Sequence, residues 1–254
     1  WEWVCSWAVT IRKPSDLGYA DGDFVLPALQ VQDCTVETHR EAVTDDAGQM
    51  ALFAMEARSL NDQRKVRKAS LQLRVDAASQ LANSNGEQWL VWCDLNDESK
   101  ALTAAIDGAV EVCGADSDDH KRQAAIDFQD GKIRVLVSKP SIFGFGLNFQ
   151  RCHNVAFVGL SHSYEAFYQA IRRCWRFGQQ QPVNAHIIYD VGEGRVIENI
   201  RRKEADSIQM AQSMVEIMKQ QTMEQLKKIQ RQVMPHVTEH KSGDNWDMYM
   251  GDCV

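Results

Sequence analysis

The 254-residue sequence predicts an α/β protein: a parallel sheet with helices on both faces, followed by a long carboxy-terminal helical extension. Three observations predict it. From about residue 63 to residue 192, short apolar runs alternate with helix-patterned segments, which is how a parallel sheet is threaded. The runs are continuous, as in Trp89-Leu90-Val91-Trp92-Cys93, and so suit strands buried on both faces. From Glu193 to about Met234, Val196, Ile200, Ile208, Ala211, Val215 and Met218 give one long or broken helix its apolar side.

The elements follow in order. Residues 1–62 show no catalytic spacing. Trp1 to Ile11 is aromatic and apolar and is expected to be buried. Pro14 to Gly18 and Asp21-Gly22-Asp23 carry turn chemistry. Phe24 to Pro27 opens a strand-like run that Val31 to Val36 continues, and Gln49 to Leu60 has a helical pattern. A basic amphipathic helix is expected over Asp62–Asn83, with Leu71, Val75, Ala78 and Leu81 on one face. Asn83-Ser84-Asn85-Gly86 ends it.

Trp89–Cys93 is then a first buried strand. Asn96-Asp97-Glu98-Ser99 opens a helix to Ile106, with Asn96 or Asp97 as its cap. Ala109–Cys113 is a second strand. Ser117-Asp118-Asp119 opens a helix that reaches Phe128 and closes at Asp130-Gly131. Ile133–Val137, Asn154–Val158 and Ala185–Tyr189 complete the strands. Pro235 is expected to stop the long helix. The polar tail from 236 to 254 is expected to be flexible. The four regions expected are therefore 1–62, 63–192, 193–235 and 236–254.

Composition excludes several classes. Hydrophobic and charged shares of 44% and 25% are ordinary for a globular chain. No apolar run approaches the ~18 residues of a membrane span. The seven cysteines are scattered without a C-x-x-C pair, which argues for a reducing, cytoplasmic compartment and against a zinc site; no metal ligands are assigned. The chain opens on Trp1, so a fragment or processed chain is expected. From His120 to Lys203, lysines and arginines outnumber acidic residues 13 to 6, in a chain of net charge −7. A basic block in an acidic protein points to a local anionic ligand.

Within that block runs Gln169-Ala170-Ile171-Arg172-Arg173-Cys174-Trp175-Arg176-Phe177-Gly178-Gln179. Helical spacing would place Phe167, Ile171 and Cys174 on one face and Gln169, Arg173 and Arg176 on another. The second stripe is either a solvated basic face or a fork for phosphate oxygens, which guanidinium matches bidentately. The strand ending at Val137 runs into Ser138-Lys139 and then Gly144-Phe145-Gly146-Leu147-Asn148. The glycines fit a close backbone approach to a ligand, or a tight turn capped by Asn148. Ligands in open parallel sheets gather at the carboxyl ends of strands. One edge is therefore expected to collect Asn96, Ser138, Lys139, Gly146, Asn148, Gln169, Arg173 and Arg176.

Taken together, these stretches resemble the second RecA-like lobe of superfamily 2 helicases, nearest to the Swi/Snf-type branch. The resemblance covers about Arg64 to Lys203. Trp89–Cys93 with Asn96–Ser99 looks like motif IV. Gly114-Ala115-Asp116 with Arg122, Phe128 and Gly131 looks like the stretch before motif V, and Ser138–Gln150 looks like motif V. Gln169–Gln179 fits the motif VI form Q-x-x-x-R-x-x-R-x-G-Q, and Gly192–Ile200 with Lys203 looks like the helix that braces the first lobe. The opening, through Pro14–Tyr19 and Leu26-Pro27, is similar to the end of lobe one and the linker of phage- and prophage-type helicases.

The resemblance implies an ATP-dependent DNA helicase or translocase, placed in a bacterial or phage-infected cytoplasm. It implies arginine fingers at Arg173 and Arg176, with Gln169 positioning water or the terminal phosphate. Gly144, Gly146 and Asn148 would approach ATP, and Asn96, Ser138 and Lys139 would touch the nucleic-acid backbone. Arg172 is expected in a salt bridge. No G-x-x-x-x-G-K-[ST] loop and no D-E-x-H occurs in the 254 residues. The phosphate loop and Mg²⁺ ligands are thus expected on a first RecA-like lobe, in cis or in trans, and the chain alone is expected to be inactive. Two other readings stay open: a stand-alone binding module with this fold, and an unrelated α/β phosphate-binding domain.

Overall fold

The computed structural model describes residues 2–8, 10–38, 60–143, 146–232, 237–243 and 246–251. The chain forms two compact units, Asp23–Ala205, and Trp1–Gly22 with Asp206–Val254.

The larger unit is the α/β class that the sequence predicts, a parallel sheet with helices on both faces. Six strands form one sheet: β1 (Leu29–Val36), β2 (Trp89–Cys93), β3 (Ala109–Val112), β4 (Val135–Ser138), β5 (Asn154–Val158) and β6 (Val183–Asp190). Their order is β1-β6-β5-β2-β4-β3, and every pair is parallel. The three middle strands β5, β2 and β4 are buried at every residue, as their unbroken apolar runs require. The sequence pattern gave five strands between 63 and 192. The sixth comes from the run before them: β1 joins the edge beside β6, with its polar residues Gln30, Gln32 and Asp33 exposed.

Alternation along the strands builds two cores. Leu90 and Trp92 of β2 face one side with α5 (Asp118–Gln129), α7 (Tyr164–Ile171) and the start of α8 (Gly194–Gln232). Trp89, Val91 and Cys93 face the other, with α3 (Leu71–Asn83) and α4 (Asn96–Ala105). Each fully buried Val, Leu, Ile or Phe on these faces contributes roughly 1.5–3 kcal/mol. Ser117 caps α5 by accepting from the His120 amide at 3.2 Å. Ser163 caps α7 by accepting from the Ala166 amide at 3.2 Å.

The basic helix expected over 62–83 is divided into α2 (Leu60–Ala69) and α3, separated at Ser70. A four-residue helix, α6 (Pro140–Phe143), follows β4. The expected helix over 49–60 lies outside the described residues but for Leu60, and so does Pro235.

In the smaller unit Glu2–Cys5 is a single helical turn, α1. Trp3 and Trp7 stand 75% and 66% exposed and pack edge to face with each other, 5.5 Å apart, instead of entering a core. The burial expected of this segment is not found. Among the described residues of this unit, Asp16 and the α8 residues Met214, Val215 and Met218 are buried, and the Cys5 thiol and the Thr10 hydroxyl both reach Met214. The tail holds an antiparallel pair, β7 (Val237–Gly243) with β8 (Trp246–Gly251). Among the described residues no helix is long and apolar enough to cross a membrane.

Candidate nucleotide and nucleic-acid rims

The expected site residues do not share one edge. They divide between the two ends of the sheet. Asn96, Ser138 and Lys139 follow the carboxyl ends of β2 and β4. The arginines and Asn148 lie at the strand starts. There the Phe149 amide donates to the Arg173 carbonyl at 2.8 Å, just before β5. The Gln179 amide side chain donates to the Cys152 carbonyl at 3.0 Å, between the arginines and β6. The reason is length. Helix α7 starts beside the carboxyl end of β5 and runs antiparallel to it, at about 1.5 Å per residue. Eight residues carry the chain back across a five-residue strand, so the segment after α7 emerges at the opposite rim. The loop after β4 makes the same crossing before β5 begins.

At the amino rim the arginines are not on a helix. α7 ends at Ile171, and Arg172 to Gly178 form successive turns. Phe167, Ile171 and Cys174 are buried in the core, as their spacing predicts. Arg173 and Arg176 nevertheless converge. Arg173 Nη1 and Arg176 Nη1 both donate to the Leu147 carbonyl, at 2.9 and 3.2 Å. Leu147 sits between Gly146, exposed at φ 76°, and Asn148.

The two guanidiniums differ in what remains free. Arg173 is 8% exposed, and its Nε and Nη2 donate to the backbone and side-chain oxygens of Gln169 at 3.0 and 3.2 Å. Burial, then the charge of Arg176, lower its pKa from the ordinary arginine value. Arg176 is half-buried and spends one donor on Leu147. The salt bridge expected of Arg172 is not found. Its guanidinium lies over the rings of Trp175 and Tyr168, at 5.3 and 5.8 Å. Among the described residues none of the three arginines pairs with a carboxylate.

Asn148 holds its own loop. Its Oδ1 accepts from the Gln150 amide at 3.3 Å, and its carbonyl accepts from Gln129 Nε2 at 2.8 Å. It lines an open cavity of about 590 Å³ with Gln129, Gln150, Arg151 and Gly178–Gln181. Gly144 lies outside the described residues.

At the carboxyl rim Lys139 is half-buried and lines a cavity of about 120 Å³ with Asp94, Ser141, Ser161 and Ser163. Ser138 does not reach it. It is fully buried and donates its hydroxyl to the Val112 carbonyl at 2.8 Å, which overturns its expected role as a backbone contact. Asn96 is exposed in the first turn of α4 and caps nothing. Glu98 reaches back instead, accepting from the Asp94 and Leu95 amides at 2.9 Å each. Cys93 also lines this cavity; its thiol donates to the Ser138 carbonyl at 3.5 Å, and burial pushes its pKa up to about 12, so it stays protonated at neutral pH.

Behind this rim lies a charge network that motif reading missed. Arg74 Nη1 contacts Glu98 Oε1 at 2.7 Å, with both side chains 0% exposed. Arg67 bridges Glu193 at 2.9 Å and Asp94 at 2.7 Å, and also donates to the Leu160 carbonyl. Burial works against the charge of Arg67, but Glu193 and then Asp94 and Glu98 outweigh it and raise its pKa. Gly159, at φ 85°, runs beside the Arg74–Glu98 pair, where a Cβ would come within 2.9 Å of Glu98. One signal was available in the sequence: Arg74 falls on the apolar stripe with Leu71, Val75 and Ala78, where an arginine must find a buried partner.

Two guanidiniums thus converge at the amino rim, and among the described residues neither pairs with a carboxylate. Among the described residues no three His, Cys, Asp or Glu side chains group to hold a metal ion. Residues 73–178 match the model of the helicase conserved C-terminal domain. No curated protein sequence matches the chain. Among solved structures, the C-terminal part of the Fun30 ATPase domain is similar at 19% identity and a TM-score of 0.46, over 50% of this chain and 45% of that one. A DEAD box protein from the hyperthermophile Methanococcus jannaschii is similar at 21% identity and a TM-score of 0.47, over 52% of this chain and 37% of that one. The chain thus spans less than half the length of either. The family match runs from α3 through both arginines to Gly178.

Proposed function

We propose that the chain is the second lobe of an ATP-dependent DNA helicase or translocase. Its amino rim faces the triphosphate and its carboxyl rim faces the nucleic-acid backbone. The observation that carries the proposal is the convergence of Arg173 and Arg176 on the Leu147 carbonyl, with no carboxylate among the described residues to neutralise either.

The two arginines take different parts. Arg173 is buried and held by Gln169, so it positions the loop 146–148 against the turn that bears Arg176. Arg176 keeps donors to spare and is the finger. It would stabilise charge spreading over the transferring phosphoryl group, as such arginines do in other nucleotidases. Gln169, its side-chain oxygen on Arg173, acts as a positioning residue and not directly on water. Mg²⁺ supplies charge neutralisation when bound. Its ligands, with the phosphate loop, belong to a first lobe in cis or in trans. At the other rim, Lys139 and Asn96 would contact backbone phosphates.

The test uses a two-lobed protein that contains this chain. Arg176→Ala should cut ATP turnover by a factor on the order of 10² or more while leaving DNA affinity nearly unchanged. A variant that weakens DNA binding at unchanged turnover would place Arg176 on the nucleic acid and overturn the assignment.

A further inference from the structure

Phe177 follows the proposed finger directly, and it is 59% exposed. Its ring stacks on that of Phe24, itself 60% exposed, with centroids 5.4 Å apart and planes 28° from parallel. The two rings form one contiguous exposed apolar patch, the kind of surface that binding sites use. The pair is also held firmly. The Gln179 amide donates to the Arg176 carbonyl at 3.0 Å and closes the turn whose tip is Phe177. The Gln179 side chain, 9% exposed, anchors that turn from behind through the carbonyls of Cys152 and Cys174, at 3.0 and 3.3 Å. On the other side of the pair, the Trp175 indole donates to the Pro27 carbonyl at 2.8 Å and ties down the segment that carries Phe24. An aromatic face ordered before binding loses little entropy when a flat ligand lands on it.

We infer that Phe177, backed by Phe24, is a base-stacking platform for the nucleotide whose phosphates Arg176 receives. The inference rests on the functional reading above and adds the part of the ligand that the arginines cannot recognise. The ligand chemistry follows from what is adjacent. Phe177 follows a stretch with three arginines that pair with no carboxylate among the described residues, so an occupant that combines negative charge with a π-face suits this surface. A nucleoside triphosphate has both. Stacking of a base on an aromatic side chain tolerates any base, so the platform should favour nucleotides over bare phosphate without choosing among bases.

The experiment titrates the 254-residue chain with ATP, GTP and inorganic tripolyphosphate, followed by ³¹P NMR. The wild type should bind both nucleotides more tightly than tripolyphosphate, by on the order of tenfold. Phe177→Leu should bring the nucleotides down to the tripolyphosphate level and leave tripolyphosphate unchanged. Arg176→Ala should weaken all three. If Phe177→Leu weakens all three ligands equally, or none, the rings are a structural or protein-contact surface and the platform is disproved. If Arg176→Ala changes no ligand, the phosphate assignment fails instead. Absence of any ligand shift in the wild type overturns both. Near-ultraviolet circular dichroism of each variant identifies any loss of fold.

Discussion

The two rims of this sheet hold arginines in opposite ways. At the carboxyl rim Arg74 is buried and Arg67 half-buried among Asp94, Glu98 and Glu193, and both guanidiniums meet a carboxylate. At the amino rim Arg173 and Arg176 meet a carbonyl, and Arg172 meets two aromatic rings. Both sets lie in sequence stretches rich in basic residues, so charge content does not separate them. Neutralisation does. A guanidinium already matched to a buried carboxylate has its charge spent within the fold, and moving it would strand the partner. One held by dipoles alone keeps most of its field for a ligand. On the function proposed above, the carboxyl-rim network is scaffold and the amino-rim cluster is the receiving site.

The strongest way to break the contrast is at Arg74. Arg74→Met would leave the Glu98 carboxylate with two backbone amides and no guanidinium, in an interior where both side chains are 0% exposed. The expected loss is about 3–5 kcal/mol, read from the urea midpoint. Replacing Glu98 by Met as well should restore much of it, because the uncompensated charge is then gone. A single variant within 1 kcal/mol of wild type would mean that the pair does not hold this rim.

A smaller effect is expected at Gly178. Its φ is 91°, and a Cβ there would meet the Gln150 side chain at 2.7 Å. Gly178→Ala should cost about 1–2 kcal/mol. Because the turn it closes carries Arg176 and Phe177, nucleotide binding should fall with stability. Gly86 is the control: a Cβ there meets nothing within 4 Å, and Gly86→Ala should stay within about 0.5 kcal/mol. Equal effects at the two glycines would show that the turn is not held by this backbone geometry.

What could be seen in the sequence was set by periodicity. Strands β2 to β6 and the two-faced burial of Trp89–Cys93 follow from continuous apolar runs. The edge strand β1 was harder, because one exposed side makes it polar and its partner β6 lies about 150 residues away, as in the pairing of Val31 with Ala185. The site residues were legible as types but not as places. The rule that ligands gather at strand carboxyl ends put Arg173, Arg176 and Asn148 beside Lys139, whereas α7 and the loop after β4 carry them across the sheet. Ser138 was misread because a hydroxyl at a strand end can turn inward to a neighbouring strand's carbonyl, here Val112, as easily as outward. The Arg74–Glu98 pair joins residues on separate helices, a relation that no local pattern encodes.

The mildest test concerns the carboxyl rim itself, which scaffolds more charge than it presents. Lys139 is its half-buried cation beside the 120 Å³ cavity, and among the described residues no carboxylate pairs with it. If it contacts one backbone phosphate, Lys139→Ala should lower DNA affinity only a few-fold at moderate salt. Its signature is the slope of log K against log salt, which should flatten by about one unit, since one phosphate's worth of counterion release is lost. Binding should weaken alike on all DNA sequences, because phosphate contacts carry no base information. An unchanged slope with lower affinity would mean that Lys139 acts through the rim's packing. The same titration on Arg176→Ala should give the wild-type slope, since that guanidinium is assigned to the opposite end of the strands. A flattened slope for both variants would collapse the distinction between the rims.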